Sequence, residues 1–224
     1  IYIAAHGVVE QPNGVEGLEK VLPGVVDYIL RRGAESYFVS NILGESALTG
    51  EYEGWCIQTF SPIKSNIEYK ANVHISYGMS DGLVDFPENL DLVNWIINQD
   101  LFGKPSVMYT GTYTWSDIQL AIWKLVDDKP YGNGLGKYSE DRVSEIIEMA
   151  MEYGEGFMPE CGEYVAIILE PFELDGEAVS AQNTIIKFPV PCGGNETAWA
   201  FGPYTFMEER IARKWGWFFE LSCY

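Results

Sequence analysis

The stretch TWSDIQLAIWKLVDD, residues 114–128, decides how the rest of the chain is read. At about 100° per residue, Ile118, Ala121, Ile122, Leu125 and Val126 fall on one arc, and Trp123 extends it. Asp117, Lys124, Asp127 and Asp128 fall on the opposite arc, with Leu120 as the exception. The pattern predicts a helix with Thr114 or Ser116 as N-cap and Asp117 in its first turn. Gln119 breaks the pattern. It lies between Val126 and Trp123, inside the apolar arc, with Trp115 one turn before it. A buried amide without partners costs roughly 1–3 kcal/mol. It is either a core glutamine bonded to backbone or a group kept for its chemistry.

Working outward, two more helices flank this one. ENLDLVNWIINQD (88–100) spaces Leu90, Val93, Ile96 and Ile97 helically. YSEDRVSEIIEMAMEYG (138–154) has Ser139 as cap, a stripe of Val143, Ile146, Ile147 and Ala150, and Gly154 as stop. Between the second and third helices, KPYGNGLGK (129–137) is glycine-rich but lacks the phosphate-binding spacing, and reads as a connector. On either side the texture is β. SYFVSNIL (36–43), EYEGWCIQTF (51–60) and EYKANVHISYG (68–78) alternate apolar with polar between Gly, Pro and Asn. YVAIILEP (164–171) and NTIIKFPVP (183–191) are rich in β-branched residues. VLPGVVDYILRRG (21–33) fits a short helix or a strand. The expected class is mainly β with a helical insertion (α+β): an antiparallel β-sandwich or barrel plus a small helical subdomain. The expected organisation is one domain over 1–224, β at 1–86, helical at 87–154 and β at 155–224.

Bulk composition narrows the function. The chain has 224 residues, 47% apolar and 21% charged, with a net charge of −19. That is an ordinary globular composition. The acidity opposes nucleic acid and anionic membranes and favours a soluble monomer. No EF-hand loop accompanies the carboxylates, so neither a metal nor any cofactor is expected. No apolar run spans a bilayer and no signal peptide is visible, so no membrane insertion is expected of this piece. Beginning at Ile1 rather than Met, the chain reads as part of a longer mature protein. Scarce Lys and Arg beside 14% aromatic residues fit an extracellular surface protein.

Of the four cysteines, Cys56, Cys161, Cys192 and Cys223, none forms a C-x-x-C pair. Cys56 lies mid-strand in GWCIQ. The pleat puts it opposite Trp55 and Ile57, on the face of Gly54 and Gln58. It is a buried free thiol, half a disulfide, or a nucleophile. A thiolate can attack a glutamine carboxamide, expel ammonia and leave an internal thioester, given proximity, dryness and help with the proton.

The pair GWCIQ and IQLAIW resembles the thioester domains of bacterial cell-surface adhesins. Those carry an aromatic-Cys-apolar motif on a strand, matched by Trp55-Cys56-Ile57. An apolar-Gln-x-Ala-apolar-Trp motif follows on a helix, matched by Ile118-Gln119-Leu120-Ala121-Ile122-Trp123. The resemblance is strongest over residues 52–128. It implies a β-sandwich or barrel with a helical subdomain, and a thioester between Cys56 and Gln119. It also implies covalent capture of a nucleophile, such as a lysine amine, on a surface protein or other amine-bearing ligand. Such a chain reacts once and is not an enzyme in the usual sense. Its place would be extracellular, at the cell surface, within a larger anchored protein. Trp55, Trp115 and Trp123 are the expected solvent-restricting pocket, and Tyr113 or Tyr109 a hydroxyl donor. His6 and His74 are expected to be structural.

Several alternatives stay open. With Cys56 in a thioester, simple antiparallel counting pairs Cys161 with Cys192, or Cys192 with Cys223. A two-disulfide framework using Cys56 would exclude the thioester. A cysteine hydrolase would use Cys56, His74 and Asp81. A non-covalent glycan- or protein-binding module would leave Gln119 an ordinary core residue. Trp199, Phe201, Trp215, Trp217 and Phe219 would then stack on sugars or fill a core. Asn195-Glu196-Thr197 fits the N-glycosylation pattern.

Overall fold

The structure, a computed structural model, describes residues 14–59, 62–77, 82–127, 134–172 and 181–192. His6, Asp81, Asp128, the 195–197 triplet, Cys223 and the aromatic cluster from Trp199 to Phe219 lie outside the described residues.

Six strands form one antiparallel sheet: β1 (Val25–Arg32), β2 (Phe38–Ile42), β3 (Gly50–Cys56), β4 (Glu68–Ile75), β5 (Tyr164–Phe172) and β6 (Thr184–Pro189). The order β1-β2-β3-β6-β5-β4 closes on itself, because β4 also pairs with β1. Of the two expected architectures, the closed barrel is the one formed. The undecided stretch at 21–33 is strand β1, burying Val26, Tyr28 and Leu30 on alternate residues.

Directly opposed residues share a face of the wall. Tyr28 opposes Ile42 and Tyr69, Leu30 opposes Ser40, Phe38 opposes Gly54, and Cys56 opposes Thr184. These residues therefore point into the barrel, as does Tyr52, which packs on Phe188 with ring centroids 5.6 Å apart. The outer face is also apolar where helices cover it. Trp55, Ala166, Ile168 and Ile185 are buried there. Gly54 must be glycine: a Cβ would sit 2.9 Å from the Ser40 hydroxyl oxygen and 3.1 Å from the Ile185 carbonyl oxygen.

The helices precede and fill the interval between β4 and β5, apart from a short α1 (Gly14–Leu18). After a 3-10 turn at Pro87–Asn89 come α2 (Leu90–Ile97), α3 (Trp115–Val126) and α4 (Glu140–Tyr153). The expected stripes are the buried ones: Leu90, Val93, Ile96 and Ile97 on α2, and Val143, Ile146 and Ala150 on α4, with Ile147 partly buried. Ser139 caps α4 and Gly154 ends it. Asn94 fastens α2 to the barrel, donating to the Ser76 hydroxyl at 2.8 Å and accepting from the Ala166 N–H at 2.8 Å. Among the described residues, no helix is long and apolar enough to cross a membrane.

Helix α3 departs from its expected polar arc. Asp117 and Asp127 are buried, as are the apolar residues on the other side. Only Lys124 of that arc, among the described residues, remains exposed. The reason is that α4 and the chain before it cover the second face and bring their own partners. Thr114 and Asp117 form a capping box. The Asp117 carboxylate also accepts from the Ser139 N–H at 2.7 Å and from Arg142 Nε at 2.9 Å. Asp127 accepts from the Thr59 hydroxyl at 2.7 Å. A helix polar on one side is thus buried on both.

The disulfide joins Cys161 to Cys192. It continues the β5–β6 register, in which Tyr164 opposes Pro189.

Removing the carboxylate from this cluster leaves Arg142 without its countercharge and two N–H groups, of Thr114 and Ser139, unpaired beside the start of α3. Asp117→Ala is expected to lower unfolding stability by about 3–5 kcal/mol, the scale for breaking a buried ion pair. Urea unfolding measures it. An unchanged midpoint would mean that the cluster does not hold α3 to α4.

Candidate functional site

Cys56 ends β3, two residues beyond Gly54, the last residue of β3 that pairs with β2. The β2–β3 ladder stops at Phe38 opposite Gly54. Because the Ile57 N–H donates to Asn183 O at 3.1 Å on the β6 side, the alternation of an antiparallel ladder turns the main-chain groups of Cys56 toward the β2 side. There β2 no longer reaches, and buried peptide groups left unpaired are costly.

Gln119 fills that place. The Cys56 N–H donates to Gln119 Oε1 at 2.9 Å, and Gln119 Nε2 donates to the Cys56 carbonyl at 2.8 Å. A carboxamide has the same donor and acceptor as a peptide group, so it completes the ladder as a missing strand residue would. Both bonds are fully buried, between residues 63 apart in sequence. The pairing also fixes which end of the amide is oxygen. A flipped amide would face donor with donor and acceptor with acceptor.

The Cys56 thiol is fully buried and free. Burial pushes it well above the usual thiol range, so it rests protonated. The disulfide takes Cys161 and Cys192, so the two-disulfide framework that would consume Cys56 is not formed among the described residues.

The residues expected around the pair occupy different places. Trp115 and Trp123 flank Tyr37, with centroids 5.6 and 5.9 Å from its ring. The Tyr37 hydroxyl is raised first by burial and then by the electrostatics of Cys56. Tyr37, which no sequence motif singles out, therefore belongs with the two tryptophans to one aromatic wall near Cys56. Arg32 lies over the Trp115 ring at 5.9 Å. Trp55 faces the opposite side of the barrel wall, opposite Ile185, as the strand period requires.

Tyr113 turns toward α4: burial raises its hydroxyl, and Glu145, which it faces, raises it further. Glu145 is itself buried and holds the loop before α3, accepting from the Ser106 hydroxyl at 2.5 Å and the Met108 N–H at 2.7 Å. Tyr109 is exposed in that loop. Tyr113 is thus placed beside Glu145. His74 is on the outer face of β4, its Nε2 2.9 Å from Glu170 Oε2. That is the other side of the wall from the thiol, so a Cys56–His74 pair is not assembled. Among the described residues, no group of three or more His, Cys, Asp or Glu converges as metal ligands would.

No protein-family model and no curated protein matches this chain. Solved structures do. The chain is similar to the N-terminal thioester domain of a surface protein from Clostridium perfringens, at 15% identity and a TM-score of 0.42, covering 72% of this chain and 97% of that one. It is similar to the N-terminal thioester domain of the fibronectin-binding protein SfbI from Streptococcus pyogenes, at 18% identity and a TM-score of 0.39, covering 75% and 94%. Both are N-terminal thioester domains. At such identities and scores the likeness decides no chemistry, which rests on Cys56 and Gln119 themselves.

The docking of the amide is itself measurable. In a Cys56→Ala background, where no cross-link to sulfur can form, adding Gln119→Ala leaves a buried N–H and C=O without partners. Stability is expected to fall by at least about 2 kcal/mol on that ground. Urea unfolding of the single and double variants measures the difference, and equal midpoints would show that the amide does not complete the ladder.

Proposed function

We propose that Cys56 and Gln119 form an internal thioester, and that the chain is a cell-surface adhesion domain using it to capture an amine covalently. The observation that carries this reading is the pair of hydrogen bonds between the Gln119 amide and the main chain of Cys56. An ordinary core glutamine has no need to spend both its bonds on the residue that bears the buried free thiol.

The same two bonds are arranged for acyl transfer. When Sγ adds to the Gln119 carbonyl carbon, negative charge develops on Oε1, which already accepts from the Cys56 N–H. That N–H serves as an oxyanion donor within a water-poor site. The leaving nitrogen is held by the Cys56 carbonyl. The Sγ–C bond forms, the C–Nε2 bond breaks, the thiol proton ends on nitrogen, and ammonia departs. In capture, a target amine attacks the same carbonyl carbon. The C–Sγ bond breaks, Cys56 regains its proton, and a stable amide joins Gln119 to the target.

Burial serves the intermediate in a second way. Water attacks a thioester too, and Cys56 and Gln119 are both fully inaccessible. Tyr37 with Trp115 and Trp123 forms the adjoining wall. A lysine-bearing partner is drawn by the net charge of −19, which favours encounter more than affinity. The reaction consumes the domain, so the chain acts as a tether and not as a turnover catalyst. Its place is extracellular, on an anchored surface protein. A bond that does not dissociate suits adhesion under flow.

Intact mass tests this directly. The wild-type chain is expected to be lighter than its disulfide-bonded sequence by one ammonia, and to gain one methylamine on incubation with that amine. Cys56→Ala and Gln119→Ala abolish both changes. A wild-type chain at full mass, inert to methylamine, would leave a binding barrel with a core glutamine.

A further inference from the structure

The barrel interior beneath Cys56 holds hydroxyls that satisfy no packing need. Tyr28 Oη, Ser40 Oγ and Thr184 Oγ1 are buried and make no hydrogen bond among the described residues. Each such group costs about 1–3 kcal/mol, and apolar residues of the same shape would avoid that cost. Ser40 adjoins Gly54, two residues before Cys56 on the same face. Thr184 is closer still, since it opposes Cys56 across the β3–β6 ladder. Both main-chain groups of Cys56 go to Gln119, so Cys56 and Thr184 face each other as a non-hydrogen-bonded pair. That arrangement brings side chains nearest, with Cα atoms about 4.5 Å apart. Behind Thr184 stands Tyr28. Its hydroxyl is pushed up by burial, drawn back by the neighbouring Thr184 hydroxyl, and feels both Tyr69 and Cys56.

The thioester reading leaves one step without an agent. The thiol is neutral at rest, and its proton must leave as sulfur attacks. Tyr28 and Tyr37 register Cys56 electrostatically, and burial holds both neutral. A neutral hydroxyl can do what a base would do elsewhere, by accepting one proton while giving up another.

We propose that the Thr184 hydroxyl is the proton relay of Cys56. This rests on the thioester reading and adds its missing group. In formation, Thr184 Oγ1 takes the proton from Sγ as the Sγ–C bond forms. It releases its own proton toward the departing Nε2, so ammonia leaves and Thr184 is unchanged. In capture the relay runs the other way: the proton lost by the target nitrogen arrives on Sγ as the C–Sγ bond breaks.

The test separates reactivity from stability, because the two are expected to move apart. Thr184→Val and Tyr28→Phe remove unpaired buried hydroxyls with little change of shape. Both variants should melt at or above the wild-type temperature. Yet methylamine capture, followed by intact mass, should slow by about a hundredfold in Thr184→Val, the modest end of proton-transfer catalysis. Tyr28→Phe should slow it less, and Thr184→Ser should restore it. A structural role alone would lower melting temperature and rate together. The relay is refuted if Thr184→Val, lighter by one ammonia, captures methylamine at the wild-type rate. A wild-type chain at full mass refutes the thioester and the relay with it, and is told apart because the wild type itself then fails to react.

Discussion

The whole arrangement depends on one strand running two residues past its neighbour. Where β3 outlasts β2, Cys56 presents a buried N–H and a buried carbonyl with no strand to meet them. The fold meets this need with a side chain. Gln119 comes from a helix 63 residues later and supplies the peptide-like group that the ladder lacks. A structural constraint and a chemical arrangement are thereby the same two hydrogen bonds. The amide satisfies the strand, and the strand fixes the amide against the residue that carries sulfur. Neither flips nor drifts, because reversing the amide would set donor against donor at zero exposure.

Helix α3 must hold that amide still, and this explains why so many polar groups converge on its first turn. The Asp117 carboxylate ties the turn to itself through Thr114 and to α4 through Ser139 and Arg142. Glu145, on α4, holds the loop that feeds α3. Burial alone would raise this carboxyl. Donation from Ser106 and Met108, with Tyr113 facing it, outweighs that and keeps it below its usual range. α3 is therefore fixed at its start by charge and along its length by apolar contact. One turn of slippage, about 5.4 Å, would break both bonds to Cys56.

Much of this was legible in the sequence, for identifiable reasons. The helical period exposed Gln119 as misplaced, since an arc of five apolar residues leaves little doubt about which side is inside. Strand alternation put Cys56 on the face opposite Trp55, and counting along one hairpin gave Cys161 with Cys192 as one of two pairings. What stayed hidden depends on partners distant in the chain. Alternation tells which residues face inward but not which strands meet, so sandwich and barrel were indistinguishable until β1 paired with β4. The wheel assigned Asp117 to water because its countercharge, Arg142, lies 25 residues on. Tyr28, Tyr37 and Thr184 sit in runs that read as ordinary strand. A polar atom at an inward position of VVDYILRR or NTIIKFPVP was the available signal, and only closure of the barrel shows that two of them share the space with Cys56.

A dry site both protects and impedes a thioester. Excluding water would preserve the acyl bond of the proposed thioester, but burial also denies the thiol its charge and so would slow formation of that bond. A histidine or carboxylate beside sulfur would ease formation. It would equally activate a stray water and shorten the life of the bond. Neutral hydroxyls differ, because they move a proton only when another leaves in step. On the proposed reading the domain reacts once, so slow formation is tolerable and premature hydrolysis is not. That asymmetry favours the arrangement seen: an interior of Tyr28, Ser40 and Thr184 under Cys56, with the only histidine among the described residues turned to the outer face.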